Sequence, residues 1–378
     1  MFIKESNTKL SLKALLWEFL KIGALGFGGG MSIIALMEKE LIKKRKVIDL
    51  EEFLHGVAFG QFLGPFAVNT AIFIGMRLYG VVAGILSAVA FMLPSVILVM
   101  ILSHIYFSYH TIPSLQTALV GLGPVVIAII VAAAWSMGKK ALKNAFAYVI
   151  TLLSLLLTFY NINTAYILIF FGVIGIVRGL IIEKKLFITN KLLSAFPFIL
   201  TGTKLSSLPE LFINFFKTGL VFFGGGFVLV PILHEELVTQ LRWLTEREFI
   251  DGVAISNLTP GPIAVLGTFA GYKVYGVIGA ILSTSALFLP GVILMVLLTK
   301  GYNMLKDVNI FQYFLSGVTP AVIGLIVNAA LKLAPSSLAN IPSLIFFLIS
   351  LPLLIKFKWH PAYLLLIGAI LGMMGIIQ

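Results

Sequence analysis

Cysteine is absent from the 378 residues, which excludes disulfides, thiolate metal sites and cysteine nucleophiles and says nothing about compartment. Charge is nearly as scarce. Asp, Glu, Lys and Arg make up 11% of the chain, against about 25% in soluble globular proteins. Metal-ligand clusters, a phosphate-binding loop and a hydrolase elbow are also missing, and His104 and His110 stand too far apart in sequence from other ligands to make a site. No catalytic residue, metal or cofactor is expected. Regularly alternating segments of about ten residues do not occur, so a transmembrane barrel is excluded. What is present is apolar: 60% of residues are hydrophobic, and mean hydropathy is +1.07. Stretches such as Leu115–Met137 and Ile341–Ile355 carry no charge, and a spanning helix needs roughly 20 apolar residues, fewer where neighbours help. The chain reads as an all-α polytopic membrane protein. After the polar N-terminus no A-x-A-like site ends the apolar run, so no removable signal peptide is expected.

Glycine is plentiful, and two strings of it organise the sequence. Phe27-Gly28-Gly29-Gly30 recurs as Phe223-Gly224-Gly225-Gly226, each preceded two turns earlier by a lysine, Lys21 or Lys217. A shift of 196 residues lays much of the first half on the second. Gly23 falls on Gly219, Glu40 on Glu236, Gly56-Val57-Ala58 on Gly252-Val253-Ala254, and Arg77 on Lys273. Pro94 and Gly121 fall on Pro290 and Gly317, and only Gly64-Pro65 against Gly261-Pro262 is out by one. Such a register implies duplication, with repeats at 1–190 and 205–378 and a basic linker at 191–204.

Each repeat reads as six apolar segments. The first carries the glycine string, and the second (53–77 and 249–273) is divided by a Gly-Pro turn. If the second segment enters and leaves on one face while the other five cross, each repeat crosses an odd number of times and the two are inverted. Most of the basic residues, including Lys43, Lys44, Arg45, Lys46, Lys139 and Lys140, then share one face, as expected of the cytoplasmic side. The net charge of +12 has two readings: loop lysines drawn to anionic lipid, or a field favouring an anionic substrate. The basic residues are scattered over loops, which argues against nucleic acid as a partner.

Interrupted hydrophobic segments at matching places in two halves point to a transporter's binding site. Glycine lets the backbone break and turn N–H groups toward a guest, and helix N-termini attract anions. Candidate substrate ligands are therefore Lys21, Phe27, Gly28, Gly29, Gly30 and their counterparts Lys217, Phe223, Gly224, Gly225, Gly226. Close helix packing is the alternative use of such glycines. Around the Gly-Pro turns, Gln61, Gly64, Pro65 and Asn69 join Asn257, Thr259, Pro260, Gly261 and Pro262 as candidates, since amides and hydroxyls there suit a tetrahedral anion. The alternative is that these side chains cap their own broken helix. For coupling or gating the candidates are Glu18, Glu38, Arg77, His234, Glu235 and Lys273, with His55 and Asp251 an equivalent titratable pair.

At these residues the sequence resembles the chromate ion transporter family. Both copies open with F-x-K-x-G followed by F-G-G-G, pass an acidic stretch (Glu38–Glu40, His234–Glu236) and reach a Gly-Pro turn. A G-Y-[RK]-x-x-G-like element and a proline in the third segment follow. Trp243-Leu244-Thr245-Glu246-Arg247-Glu248-Phe249 and Thr259-Pro260-Gly261-Pro262 lie especially near the family pattern. The first copy departs from it: Leu63-Gly64-Pro65-Phe66 lacks both flanking prolines, and Met76 replaces the tyrosine kept as Tyr272. The resemblance implies oppositely oriented halves and export of chromate, with sulfate as a look-alike, across the cytoplasmic membrane using the proton-motive force. Its partners would be that small oxyanion and the lipid bilayer, with a homodimer left open. A cation- or proton-coupled transporter of another small solute, on the same inverted-repeat scaffold, is the alternative.

Overall fold

The computed structural model describes residues 10–26, 30–109, 112–160, 162–182, 207–222, 226–300 and 310–377. Among these every regular element is helical, as the sequence predicts. The linker 191–204 lies outside the described residues, as do Phe27, Gly28, Gly29, Phe223, Gly224 and Gly225.

The first segment of each repeat is broken at its glycine string. Helix α1 (Leu12–Leu25) gives way to α2 (Gly30–Met37), which runs on as a π-helix over Glu38–Lys44. Its counterpart α9 (Leu208–Leu220) is followed by a 3₁₀ turn at Gly226–Val228, then α10 (Leu229–His234) and a second π-helix at Glu235–Gln240. At 1.5 Å per residue α1 and α9 reach only about 20 Å, short of the roughly 30 Å hydrocarbon core. Serine hydroxyls at the same repeat position start both: Ser11 accepts from the Ala14 N–H and Ser207 from the Glu210 N–H.

The second segment is a hairpin in each copy. Helices α3 (Leu50–Phe62) and α4 (Phe66–Tyr79) flank Gly64-Pro65; α11 (Glu246–Leu258) and the start of α12 (Leu266–Lys300) flank Gly261-Pro262. An ion pair closes each hairpin at its open end, Glu52 with Arg77 and Glu248 with Lys273. Both arms thus begin and end on the same side. Asp49 and Thr245 cap the first arms from equivalent positions. Helix α12 is interrupted at Tyr275-Gly276, where Gly276 takes φ 57°; the counterpart Gly80 (φ 85°) separates α4 from α5 (Val81–Tyr109).

The remaining helices are α6 (Pro113–Ala141), α7 (Ala145–Phe159), α8 (Thr164–Ile182), α13 (Ile310–Ser337), α14 (Ile341–Ile355) and α15 (Pro361–Met373). Among the described residues, five stretches are long and apolar enough to cross a membrane: Val81–Tyr109, Pro113–Ala141, Thr164–Ile182, Ile263–Thr299 and Gln312–Ser337. From Val82 to Ile101 the exposed face of α5, through Leu86, Val89, Leu93 and Ile97, is apolar, as lipid requires.

The repeats are entwined. Helices α7 and α8 pack on α13 of the other repeat, and α14 and α15 pack on α6. Backbone contact at small residues sets these crossings: a methyl group on Gly121 would fall 1.9 Å from the Gly368 carbonyl, and one on Gly317 1.8 Å from that of Phe171. These contacts also fix direction. Along α8, Phe171 meets Gly317 while Gly179 meets Tyr313, so α8 and α13 are antiparallel. Helices α6 and α8 are separated by the single helix α7 and run the same way. The equivalent helices α6 and α13 therefore run oppositely, and the repeats are inverted.

Candidate functional site

The four breaks converge and do so crosswise. The Gly261 N–H of the second hairpin tip donates to the Gly26 carbonyl at the end of α1, at 2.9 Å. In the mirror arrangement, Gly64 of the first tip lies against the Phe222 carbonyl that precedes the second glycine string, 2.6 Å from where a Cβ would stand. Both tip glycines adopt φ near +100°, which any side chain would strain (Gly64 104°, Gly261 100°). Each repeat thus lays its hairpin tip on the other's broken first segment.

The carbonyls freed at the tips are satisfied by two different devices. In the first hairpin the buried Asn69 amide donates to Leu63 O at 3.0 Å. In the second hairpin, Val265 follows Pro260 where an amide could have served, and Ser95 of α5 donates across the repeats to Pro260 O. Ser95's own counterpart is Gly291, whose Cβ position lies 3.3 Å from Leu63 O. The Asn257 amide donates to Val253 O (2.8 Å) and the Thr259 hydroxyl to Ser256 O (3.1 Å). Three of the polar candidates therefore cap their own backbone in this state; the Gln61 side chain lies outside the described residues.

Of the triglycine strings only the last members, Gly30 and Gly226, are described, and each is covered by the residue after the turn proline of its own repeat. A methyl group on Gly30 would stand 2.2 Å from the Phe66 ring, and one on Gly226 2.8 Å from Ile263 Cγ2. Phe66 and Ile263 occupy the same place in their hairpins, and sequence reasoning passed over both. The signal was available: each directly follows the turn proline.

The charged candidates divide. Lys21 is 3.4 Å from Glu18, whose carboxylate is buried and also receives Arg45 Nη2 at 2.6 Å. Arg45, at the end of the first π-helix, is the partner the sequence did not reveal. Lys217 has no carboxylate within ion-pairing distance among the described residues. It lines, with Thr218, Glu235 and Glu236, a cavity of about 20 Å³ beside the second break, enough for one water. Glu38 pairs with Lys43, Glu235 accepts from Gln240, and buried His234 contacts Glu246 at 2.9 Å. Arg77 and Lys273 close the hairpins at their far ends and do not approach the breaks. Both π-helices sit in the acidic stretches, each followed by a residue of positive φ (Lys46, Arg242), a backbone irregularity that often accompanies function.

The profile of the family described as chromate transporter matches residues 13–176 and again 209–373. The chain belongs to the chromate transporter family. The two matched stretches each hold one broken first segment and one Gly-Pro hairpin. Among curated relatives, a chromate transport protein of Cupriavidus metallidurans is 31% identical, covering 96% of this chain and 92% of its own. A probable chromate transport protein of Synechococcus elongatus is 30% identical over 90% of this chain and 89% of its own. An uncharacterized transporter of Bacillus subtilis, 30% identical, covers only 40% of this chain but 79% of its own length, the size of a single repeat. No solved structure matches the chain. A transporter-family chain with this many apolar helices is a multi-pass membrane protein.

Proposed function

We propose that the protein is a secondary transporter that exports chromate, or a related tetrahedral oxyanion such as sulfate, from the cytoplasm across the cell membrane, coupled to the proton-motive force. The family and the names of its relatives support the substrate class. The observation that carries the mechanism is the crossed docking of hairpin tips on helix breaks, Gly261 on Gly26 and Gly64 on Phe222. It gathers the starts of α2 and α10 and both proline turns in one region between inverted repeats, where transporters of this design bind their cargo. In this reading the N–H groups of Gly28–Gly30 and Gly224–Gly226 hold the anion, and Lys21 and Lys217 supply positive charge. Phe66 and Ile263 are the plugs. The tips lie in contact with the breaks, Gly261 on Gly26 and Gly64 on Phe222, so in this reading they withdraw before substrate enters.

The test is flux of radiolabelled chromate and sulfate in proteoliposomes, with and without an imposed pH gradient. Saturable chromate flux inhibited by sulfate and accelerated by the gradient is expected; no flux of either anion refutes the reading. A second reading, a cation- or proton-coupled carrier of another solute, draws on Glu235 and Glu236 beside the second break. Under it, sulfate leaves transport untouched.

A further inference from the structure

We propose that Asp251 is the proton-binding group of this transporter, sealed in the present state by the end of α5. The inference rests on the proton-coupled reading above. Asp251 lies in the second turn of α11 and is 1% exposed. Its Oδ2 accepts from the Tyr106 hydroxyl at 2.9 Å and from Arg247 Nε at 3.3 Å. Its Oδ1 is buried with no hydrogen-bond partner among the described residues, and so is Arg247 Nη2. A buried carboxylate left half-satisfied is costly as an anion, and taking up a proton relieves that cost. The charged and titratable groups that face it are Tyr106 from α5, and Arg247 and Glu248 from its own helix. Lys273 of α12 is held by Glu248, and α6, α13 and α15, which also touch α11, contribute none of the dominant charges.

The seal comes from the other repeat. Tyr106 and Phe107 of α5 pack on Phe269 with ring centroids 5.4 and 4.9 Å apart, His104 meets the Tyr272 hydroxyl at 2.9 Å, and Lys273 lies over the Phe107 ring. At the repeat-equivalent place stands His55, with Glu51 in the position of Arg247, and among the described residues both line a cavity of about 220 Å³. The repeats are inverted, so these two hairpin ends face opposite sides of the membrane. The residues that seal Asp251 have their repeat counterparts at 302 and 303, outside the described residues; lifting α5 off the second hairpin would open Asp251 to water.

The experiment compares wild type, Asp251→Asn and Asp251→Glu in proteoliposomes, measuring chromate exchange at equal pH and chromate uptake under an imposed pH gradient. The expected result is complete loss of gradient acceleration in Asp251→Asn with exchange retained, and its return in Asp251→Glu. Asp251→Asn responding to the gradient as wild type does overturns the assignment, as does loss of exchange together with coupling in a folded protein. A wild type indifferent to the gradient instead refutes the coupled reading itself. Should Asp251→Asn fail to fold, the unmodified protein decides: a hydrophobic carbodiimide, which attacks protonated carboxyls in apolar surroundings, should label Asp251 and abolish gradient-driven uptake. Absence of that adduct on peptide mapping overturns the proposal.

Discussion

Ser95→Ala removes the one hydroxyl that ties the first repeat's α5 to the second hairpin tip. The Pro260 carbonyl is buried and has no other donor among the described residues, so the variant leaves it unpaired. An orphaned buried acceptor costs about 1–3 kcal/mol, and each 1.4 kcal/mol is about tenfold in an equilibrium constant. If the tip withdraws during transport, the open population should rise between about fivefold and a hundredfold. The chain has no cysteine, so Ile263→Cys would place a single thiol on the tip, against Gly226, where a membrane-impermeant maleimide reports its exposure. The labelling rate should increase by that factor in the Ser95→Ala background. An unchanged rate with a lowered melting temperature would mean that the hydroxyl only braces packing and that this tip does not open.

Other substitutions probe the remaining joints. Gly226→Leu should insert normally yet lose transport, because Ile263 already fills the space above it; full chromate export would remove this string from the site. Gly121→Ala and Gly317→Ala should each lower thermal stability by about 1–3 kcal/mol or more, since the added methyl falls within 2 Å of a carbonyl on the partner helix and the crossing must part. Unchanged melting in detergent would contradict the entwined packing. At the aqueous end of the second hairpin, burial pushes the Glu248 carboxyl up, but the Lys273 ammonium and the Thr245 backbone N–H outweigh it and hold it below the ordinary glutamate value. A depressed folded value means the stabilisation is present above the unfolded value and is lost as pH falls through the folded one. Lys273→Met should flatten that acid limb of the melting curve, and an unaltered slope would show the pair contributes nothing there.

Much of the architecture was legible in the chain. The 196-residue register and the Gly-Pro turns placed both hairpins, and the structure adds equivalent caps (Ser11 and Ser207, Asn144 and Asn340), because each is a local matter of glycine, proline and capping residues acting on their own few neighbours. The odd number of crossings followed from assuming that the second segment returns; it does so at Gly64-Pro65 and Gly261-Pro262, and the Glu52–Arg77 and Glu248–Lys273 pairs close its open ends. Partners were another matter. Nothing in the sequence tied Glu18 to Arg45, 27 positions on, or Ser95 to Pro260, 165 positions on.

Composition and repeat by themselves determined a duplicated, helical, membrane-embedded chain broken at four defined places, since bilayer length, helix period and backbone freedom are properties of short stretches. Only the tertiary structure decided that the two copies interlock, that each hairpin tip seats on the other copy's break, and that Phe66 and Ile263 stand over the glycines. Those outcomes depend on which helix faces pack together, across about 36 residues for Phe66 and Ile263 and more than 150 for the crossed tips, and that choice is made by complementary shape, which no local pattern encodes.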